Sequence, residues 1–319
     1  MSEGGGGGGR GGGGGAGGAG GGCGGGGGEG GVGGVALSVW IIGYGRVGKF
    51  FEALLKPLKG IRILVKHKHE PNYPVADIFM ICVQDQWVTK VVEELILHEQ
   101  DQVFSAVHCS GILPLDVLAP LVEINADRGR TLGIDDGGNP GNEFNKIAVL
   151  HPLAPISSQT ISAENILFDA VGDPELLLIF EHWCMEWGAR FLKVNAHQKK
   201  VLHTAAVMSC NYLTTLYGMV GDFLEAEQFN KLEVRQILAA SMGRTLEQLN
   251  DLPVEQAMTG PIIRGDIDTI REHLAILHHD QQCLALYKNL GNSTIDMISE
   301  FEHKPSEERI EEMRKLFNS

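Results

Sequence analysis

The most constraining feature of this chain is a short apolar run, Val35 to Gly43 (VALSVWIIG), that runs straight into Gly43-Tyr44-Gly45-Arg46-Val47-Gly48. A helical pattern follows from Arg46 to Leu58, with Val47, Phe50, Phe51, Leu54 and Leu55 recurring at intervals of three and four. Glycines at this spacing allow a tight turn, a close backbone approach and a close strand–helix contact, in that order. The helix then begins with unbonded N–H groups and the positive end of its dipole, which together suit a pyrophosphate. Gly43, Tyr44, Gly45, Arg46, Val47 and Gly48 are therefore candidates for holding a dinucleotide. The plain alternative is a strand–turn–helix that needs small residues only for packing.

The same alternation continues down the chain. Ile61–Val65, Ala76–Val83, Val103–Cys109, Ile147–Leu150, Asn165–Val171 and Ala189–Val194 read as strands. Helical patterns at Trp87–His98, Leu113–Val122 and Pro174–Trp187 separate them. This order predicts an α/β Rossmann-like domain with a parallel sheet. After Asn195 strand signals stop. His197–Leu224, Leu232–Leu249, Asp266–Leu290 and Ser306–Leu316 all read as helices, so an all-α C-terminal domain is expected. The expected divisions are a tail over 1–34, a nucleotide-binding domain over 35–195 and a helical domain over 196–319. The polar stretch 127–146 reads as a surface insertion.

Composition sets the remaining bounds. Of the 43 glycines in 319 residues, 25 lie in the first 34 positions, a stretch with nothing to bury and therefore expected to be disordered. It has neither the apolar core of a signal peptide nor the pattern of a transit peptide. The net charge is −14, and no long Lys/Arg run breaks it, which argues against nucleic acid or an anionic membrane as a partner. The six cysteines show no C-x-x-C spacing, as expected of reduced thiols in a cytoplasmic protein. No apolar run is long enough to span a bilayer.

The end of the second strand bears on which dinucleotide is bound. An NAD site wants a carboxylate ~20 residues after the glycines, on the ribose hydroxyls. Here Lys66, His67 and Lys68 occupy that place and Glu70 comes only later, which favours the 2′-phosphate of NADP over NAD. Val83 and Gln84 close the third apolar run, and Ser110 and Gly111 follow the fourth. Both places lie outside the carboxyl ends of strands, where ligands gather in open α/β sheets. Val83, Gln84 and Gly111 are further cofactor candidates and Ser110 a substrate candidate, although a serine-capped turn is an equal reading.

Taken together, six segments carry a family resemblance: Gly43–Gly48, V-Q-D at 83–85, H-C-S-G at 108–111, H-P-L at 151–153, L-H-T-A-A-V-M-S-C-N-Y at 202–212 and M-T-G-P-I-I-R-G-D at 258–266. The chain from about Val35 to Met297 resembles a mainly bacterial family with a Rossmann-like N-terminal domain and a helical C-terminal domain of unknown function. It is also similar to pyrroline-5-carboxylate reductases, prephenate dehydrogenases and the wider 6-phosphogluconate dehydrogenase-like superfamily. The resemblance implies a nicotinamide facing a cleft roofed by helices that often dimerise. It also implies a C-terminal domain like that of 6-phosphogluconate dehydrogenase. The short stretch before Ala76, the 127–146 insertion and the glycine tail depart from that pattern.

A reductase of this kind needs a proton donor beside the reacting carbon and groups that bind a carboxylate. Lys199 and His203, four apart on one helix, are the catalytic candidates; His203 titrates nearest to working pH and is preferred. The superfamily resemblance implies a comparable Lys-x-x-x-Asn ladder there. Asn211 stands eight residues beyond His203, which on an α-helix is ~80° around and ~12 Å along the axis. Asn211 and Arg264 are candidates for substrate binding, Arg264 because a guanidinium fork matches a carboxylate. Its alternative is a structural pair with Asp266 or Glu272. His151 is a weaker candidate, and the histidines at 273, 278 and 279 do not have a metal-binding spacing.

The sequence therefore points to an NADP-dependent oxidoreductase, a homodimer, acting on a small carboxylated imine or 2-keto acid such as a pyrroline carboxylate or ketopantoate-like compound. The alternative is a dinucleotide-binding sensor or interaction protein without turnover.

Overall fold

The computed structural model describes residues 37–66, 75–97, 103–123 and 145–319. The glycine tail, His67 and Lys68 with the Lys66 side chain, and nearly all of the 127–146 insertion lie outside the described residues. From Leu37 to Ser319 the chain forms one structural unit.

Among the described residues, seven strands form one sheet: β1 (Leu37–Ile42), β2 (Ile61–Lys66), β3 (Ile78–Ile81), β4 (Ser105–His108), β5 (Lys146–Pro152), β6 (Leu167–Gly172) and β7 (Arg190–Lys193). Their order is β2-β1-β3-β4-β5-β6-β7. Helices α1 (Arg46–Leu55), α2 (Asp85–Leu97) and α3 (Pro174–Glu186) connect strands, and the helix expected over Leu113–Val122 begins as a 3-10 turn at Leu115–Leu118 that runs on into α-helix over 119–123. The order reverses at β1, which has β2 on one side and β3 on the other. A crevice for ligands opens at such a reversal, beyond the carboxyl ends of the strands.

Burial on both faces explains why β1, β3 and β4 read as continuous apolar runs rather than alternating ones. Val39 and Ile41 pack on one face with Phe50, Phe51, Leu54 and Leu55 of α1 and with Phe180 and Trp183 of α3. Trp40 and Ile42 pack on the other face with Val88, Val91, Val92 and Leu95 of α2. The four α1 side chains alone contribute roughly 8 kcal/mol of apolar transfer free energy.

One strand departs from the expected parallel sheet: β6 runs antiparallel to β5. The segment between them forms no crossover helix, and the Leu153 amide donates to the Leu167 carbonyl at 2.7 Å as the chain doubles back. A parallel return would need a crossover connection, usually helical. The helix instead comes after β6, as α3, and carries β7 parallel to β6.

Beyond β7 every regular element is helical: α4 (Ala196–Ala206), a π segment (Val207–Asn211), α5 (Tyr212–Ala226), α6 (Lys231–Asp251), α7 (Val254–Ala257), α8 (Pro261–Arg264), α9 (Ile267–Leu277), α10 (Gln281–Ile298) and α11 (Glu307–Asn318). The single helix expected over Asp266–Leu290 is two. Asp280 accepts hydrogen bonds from the Gln282 and Cys283 amides and so caps a new helix. Ile267, Ile270, Ile295, Ile310, Met313 and Phe317 form the core of α9–α11. Among the described residues no helix is long and apolar enough to cross a membrane.

Candidate active site

The turn after β1 has the geometry its glycines require. Gly43 has φ +99°, and a β-carbon there would lie 2.8 Å from the Cys82 carbonyl carbon and the Val83 nitrogen. Gly48 lies so close to the turn that its β-carbon would sit 2.1 Å from the Gly43 oxygen. Gly45, by contrast, faces open space, with nothing within 4 Å of a β-carbon. No side chain caps α1 and no acid stands in its first turn. The N-termini of α3, α4, α6, α9, α10 and α11 all have side-chain caps. The α1 terminus thus presents amides and a positive dipole end that the chain itself leaves uncapped. Tyr44 turns outward from it, its hydroxyl donating to Glu52 and its ring under the Lys49 ammonium.

Beside this cradle, Val83 follows β3 and Gln84 turns the chain into α2, its carbonyl accepting from the Trp87 amide. At the end of β4, His108 is fully buried. Its Nε2 faces the Pro114 carbonyl at 3.2 Å, and its Nδ1 accepts from the Ser110 amide at 3.2 Å. Burial pushes its pKa down to about 4, so the ring is neutral and carries its proton on Nε2. The Ser110 hydroxyl accepts from the Ile112 and Leu113 amides and so fixes the turn. Cys82 and Cys109, neighbours at the ends of β3 and β4, lie with their sulfurs 3.7 Å apart. Burial pushes the Cys109 thiol well up, which makes it a poor nucleophile.

Helix α4 closes over this turn. Asn195 and Gln198 form its capping box, which fixes the start of the helix. Lys199, one turn in, is 2% exposed, and its Nζ donates to the Ser110 and Gly111 carbonyls at 2.5 Å each. Burial lowers its pKa, while the negative charges of Asp169 and Asp85 oppose that shift. One turn further, His203 presses on Gly111: a β-carbon there would lie 2.1 Å from His203 Nδ1 and 2.8 Å from His151 Nε2. Gly111 is required here for space rather than for backbone freedom. Burial, then the neighbouring His151 and Lys199, lower the His203 pKa. Its Nδ1 has no hydrogen-bond partner among the described residues.

His151 meets His203 edge to face, with ring centroids 5.5 Å apart. The antiparallel register of β5 and β6 sets His151 directly opposite Asp169, and His151 Nδ1 lies 2.7 Å from Asp169 Oδ2. Asp169 is fully buried. A carboxylate there is tenable only beside positive charge and hydrogen-bond donors.

Arg46, Val47, Cys109, His151, Pro152 and Asn211 are among the residues lining a pocket of about 340 Å³. Asn211 reaches it because the helix is not α throughout. The π segment Val207–Asn211 advances fewer degrees per residue, which reduces the angular offset from His203 that an α-helix imposes.

The structure therefore places Arg46, Val47 and Asn211 on the pocket with His151, brings Ser110, Gly111, Lys199 and His203 into contact beside it, and sets Val83 against Gly43. Arg264 does not line the pocket; it stands in the turn between α8 and α9, 61% exposed and 3.8 Å from Asp266. Asp266 itself caps α9 through the Thr269 amide. Sequence reasoning missed Asp169. Its one signal is a lone carboxylate inside the apolar run Leu167-Phe168-Asp169-Ala170-Val171.

A family described as a domain of unknown function, DUF2520, matches residues 166–294. No curated protein matches in sequence. Three solved structures are similar in fold. A candidate NADP oxidoreductase of Bacteroides fragilis is 19% identical, with a TM-score of 0.63 over 81% of this chain and 97% of its own. A Thermotoga maritima protein is 17% identical, with a TM-score of 0.56 over 88% of this chain and 100% of its own. The pyrroline carboxylate reductase of Plasmodium falciparum, solved with NADP bound, is 10% identical, with a TM-score of 0.52 over 89% of this chain and 97% of its own.

Proposed function

We propose that this chain is an NADP-dependent oxidoreductase that reduces a small carboxylated imine or 2-keto acid. The observation that carries the reading is the uncapped α1 terminus behind Gly45, open to a diphosphate and adjoining a pocket with a charged and hydrogen-bonding lining. The residues there fit a pyridine dinucleotide. Gly43–Gly48 would hold its phosphates, and Val83, Gln84 and Gly111 would border its nicotinamide end. When bound, a reduced nicotinamide supplies a hydride to an electrophilic carbon. The chain's own part is to exclude water, orient the substrate through Asn211 and Arg46, and supply a proton from the cleft. Lys199 fits a positioning part, since it ties α4 to the Ser110-Gly111 turn. Similarity to the NADP-bound pyrroline carboxylate reductase supports the fold on which this rests. Lys66, His67 and Lys68 favour the 2′-phosphate; the K66A/K68A double variant is expected to weaken NADPH roughly 10-fold or more and to spare NADH. The quaternary state in this reading is a homodimer joined through α4–α6.

Calorimetry with NADPH and NADH, followed by NADPH oxidation across 2-keto acids and cyclic imines, tests the proposal. Tight binding of NADPH with turnover on a carboxylated compound is expected. Binding without turnover on any compound would favour a non-catalytic sensor, and failure to bind either nucleotide would exclude both.

A further inference from the structure

We propose that His151, held by Asp169, gives the proton to the substrate's oxygen, and that the site is therefore built for a 2-oxo acid rather than an iminium. The inference rests on the oxidoreductase reading above and deepens it.

His151 uses Nδ1 on the Asp169 carboxylate, 2.7 Å away, and lines the pocket, which leaves Nε2 toward the Gly111 turn. His203 and Lys199, the other basic groups on the covering helix, are less suited to giving up a proton to substrate. Lys199 Nζ is committed to two carbonyls. The His203 pKa is lowered, by burial first and then by His151 and Lys199. Of the three, only His151 is hydrogen-bonded to the buried Asp169 carboxyl, which fixes the ring and, in the neutral form, keeps its hydrogen on Nδ1. Asp169 is thus a positioning residue and His151 the catalytic one.

Substrate class follows from the proton count. Reduction of a ketone carbon moves the C=O π pair onto oxygen, and that oxygen must take a proton, here from Nε2. The reductant is NADPH, oxidised to NADP⁺, and His151 regains its proton from solvent. An iminium arrives already protonated on nitrogen and needs no acid. The groups facing His151 are Arg46 from α1, Lys199 and His203 from α4, Asp169 from β6, and, further off, His108 from β4 and Asp85 from α2. Arg46, on the pocket wall, suits the carboxylate that both substrate classes carry, so the proton count is what separates them.

H151N and D169N, each with circular dichroism, NADPH affinity and turnover measured, separate the possibilities. For a series of 2-oxo acids kcat is expected to fall roughly 100-fold or more in H151N while the NADPH Kd stays within about 2-fold. D169N is expected to fall in the same direction by less. Any cyclic iminium that the protein turns over should be reduced equally well by H151N, a difference that a merely structural role for the histidine would not produce. In the cofactor-free protein, ¹⁵N spectra should find neutral His151 protonated on Nδ1 in the wild type and shifted toward Nε2 in D169N. Binding of oxamate to the NADPH-loaded protein, read by calorimetry, should weaken in H151N. Wild-type kcat in H151N, or an Nε2-protonated tautomer in the wild type, overturns the inference and leaves the oxidoreductase reading standing. Absence of turnover by the wild type on every compound overturns that reading, and the inference with it.

Discussion

Strand β3 is buried at all four of its positions, and α1 and α3 each bury five residues against the sheet. Across α4, the π segment, α5 and α6, only Lys199, Gly221, Val234 and Leu238 are buried. The same helices expose Val201, Met208, Tyr212, Leu232, Leu246 and Leu249, each by 43% or more. The sheet region is thus stabilised by its own chain. Helices α4–α6 obtain little burial from theirs, yet amphipathic helices are held mainly by packing an apolar face. In the homodimer proposed above, a second copy of the chain would cover those side chains. The catalytic candidates lie where the two regions meet: His151 and Asp169 belong to the sheet, and Lys199, His203 and Asn211 to the covering helix.

The sharpest way to break this contrast is through the sheet region. Gly48→Ala forces a β-carbon against the Gly43 carbonyl, which is backbone and cannot swing aside. A loss of roughly 3 kcal/mol is expected, seen as a fall in Tm of about 10 °C. Gly45→Ala, in open space, should leave Tm alone and weaken only NADPH binding. Equal Tm values for the two variants would show that the strand–helix contact is not tight.

At the seam, Gly111→Ala drives a β-carbon into His203 and His151 together. Turnover should fall roughly 100-fold, since small displacements of catalytic groups cost about that much. Unfolding by denaturant should shift far less than for Gly48→Ala. On the helical side, if the proposed homodimer forms through α4–α6, Tyr212→Glu with Leu246→Glu is expected to raise its dissociation constant by roughly 10-fold or more, because charges replace two exposed apolar side chains. Light scattering at several concentrations reads the change. A wild-type protein that is monomeric at micromolar concentration would remove the second copy from the account.

How much of this was legible in the sequence follows the same division. The β1 turn was readable because glycine spacing, the apolar run and helical periodicity are all local, and Gly43 and Gly48 take up the close approaches that such spacing demands. Lys199, His203 and Gly111 were also legible as candidates. Their mutual contact was not, because it joins residues about 90 positions apart. Asp169 was hidden for a different reason. Its partner is set by the antiparallel register of β5 with β6, and alternation of strands and helices suggests parallel neighbours instead. Asn211 lines the pocket, but its angle from His203 was not legible, because π turns leave no mark in apolar periodicity. Arg264 was attractive by chemistry alone, and the turn that carries it stands away from the pocket.

The last expected effect concerns His108, which tests whether the sheet side of the seam is as dry as its burial implies. Its folded pKa is about 4, below the ordinary value of 6.5. Between those two values the unfolded chain binds a proton that the folded chain does not, so stability rises with pH through that window. The contribution is fully present above pH 6.5 and is lost as pH falls toward 4. It amounts to roughly 2 kcal/mol by pH 5. His203, also lowered, acts in the same sense, so the comparison is between the wild type and His108→Asn rather than between two pH values alone. Denaturant unfolding at pH 7 and pH 5 should give a smaller loss in the variant than in the wild type. An identical loss in both would mean that His108 takes up its proton while folded, and that water reaches the end of β4 beneath the Ser110 turn.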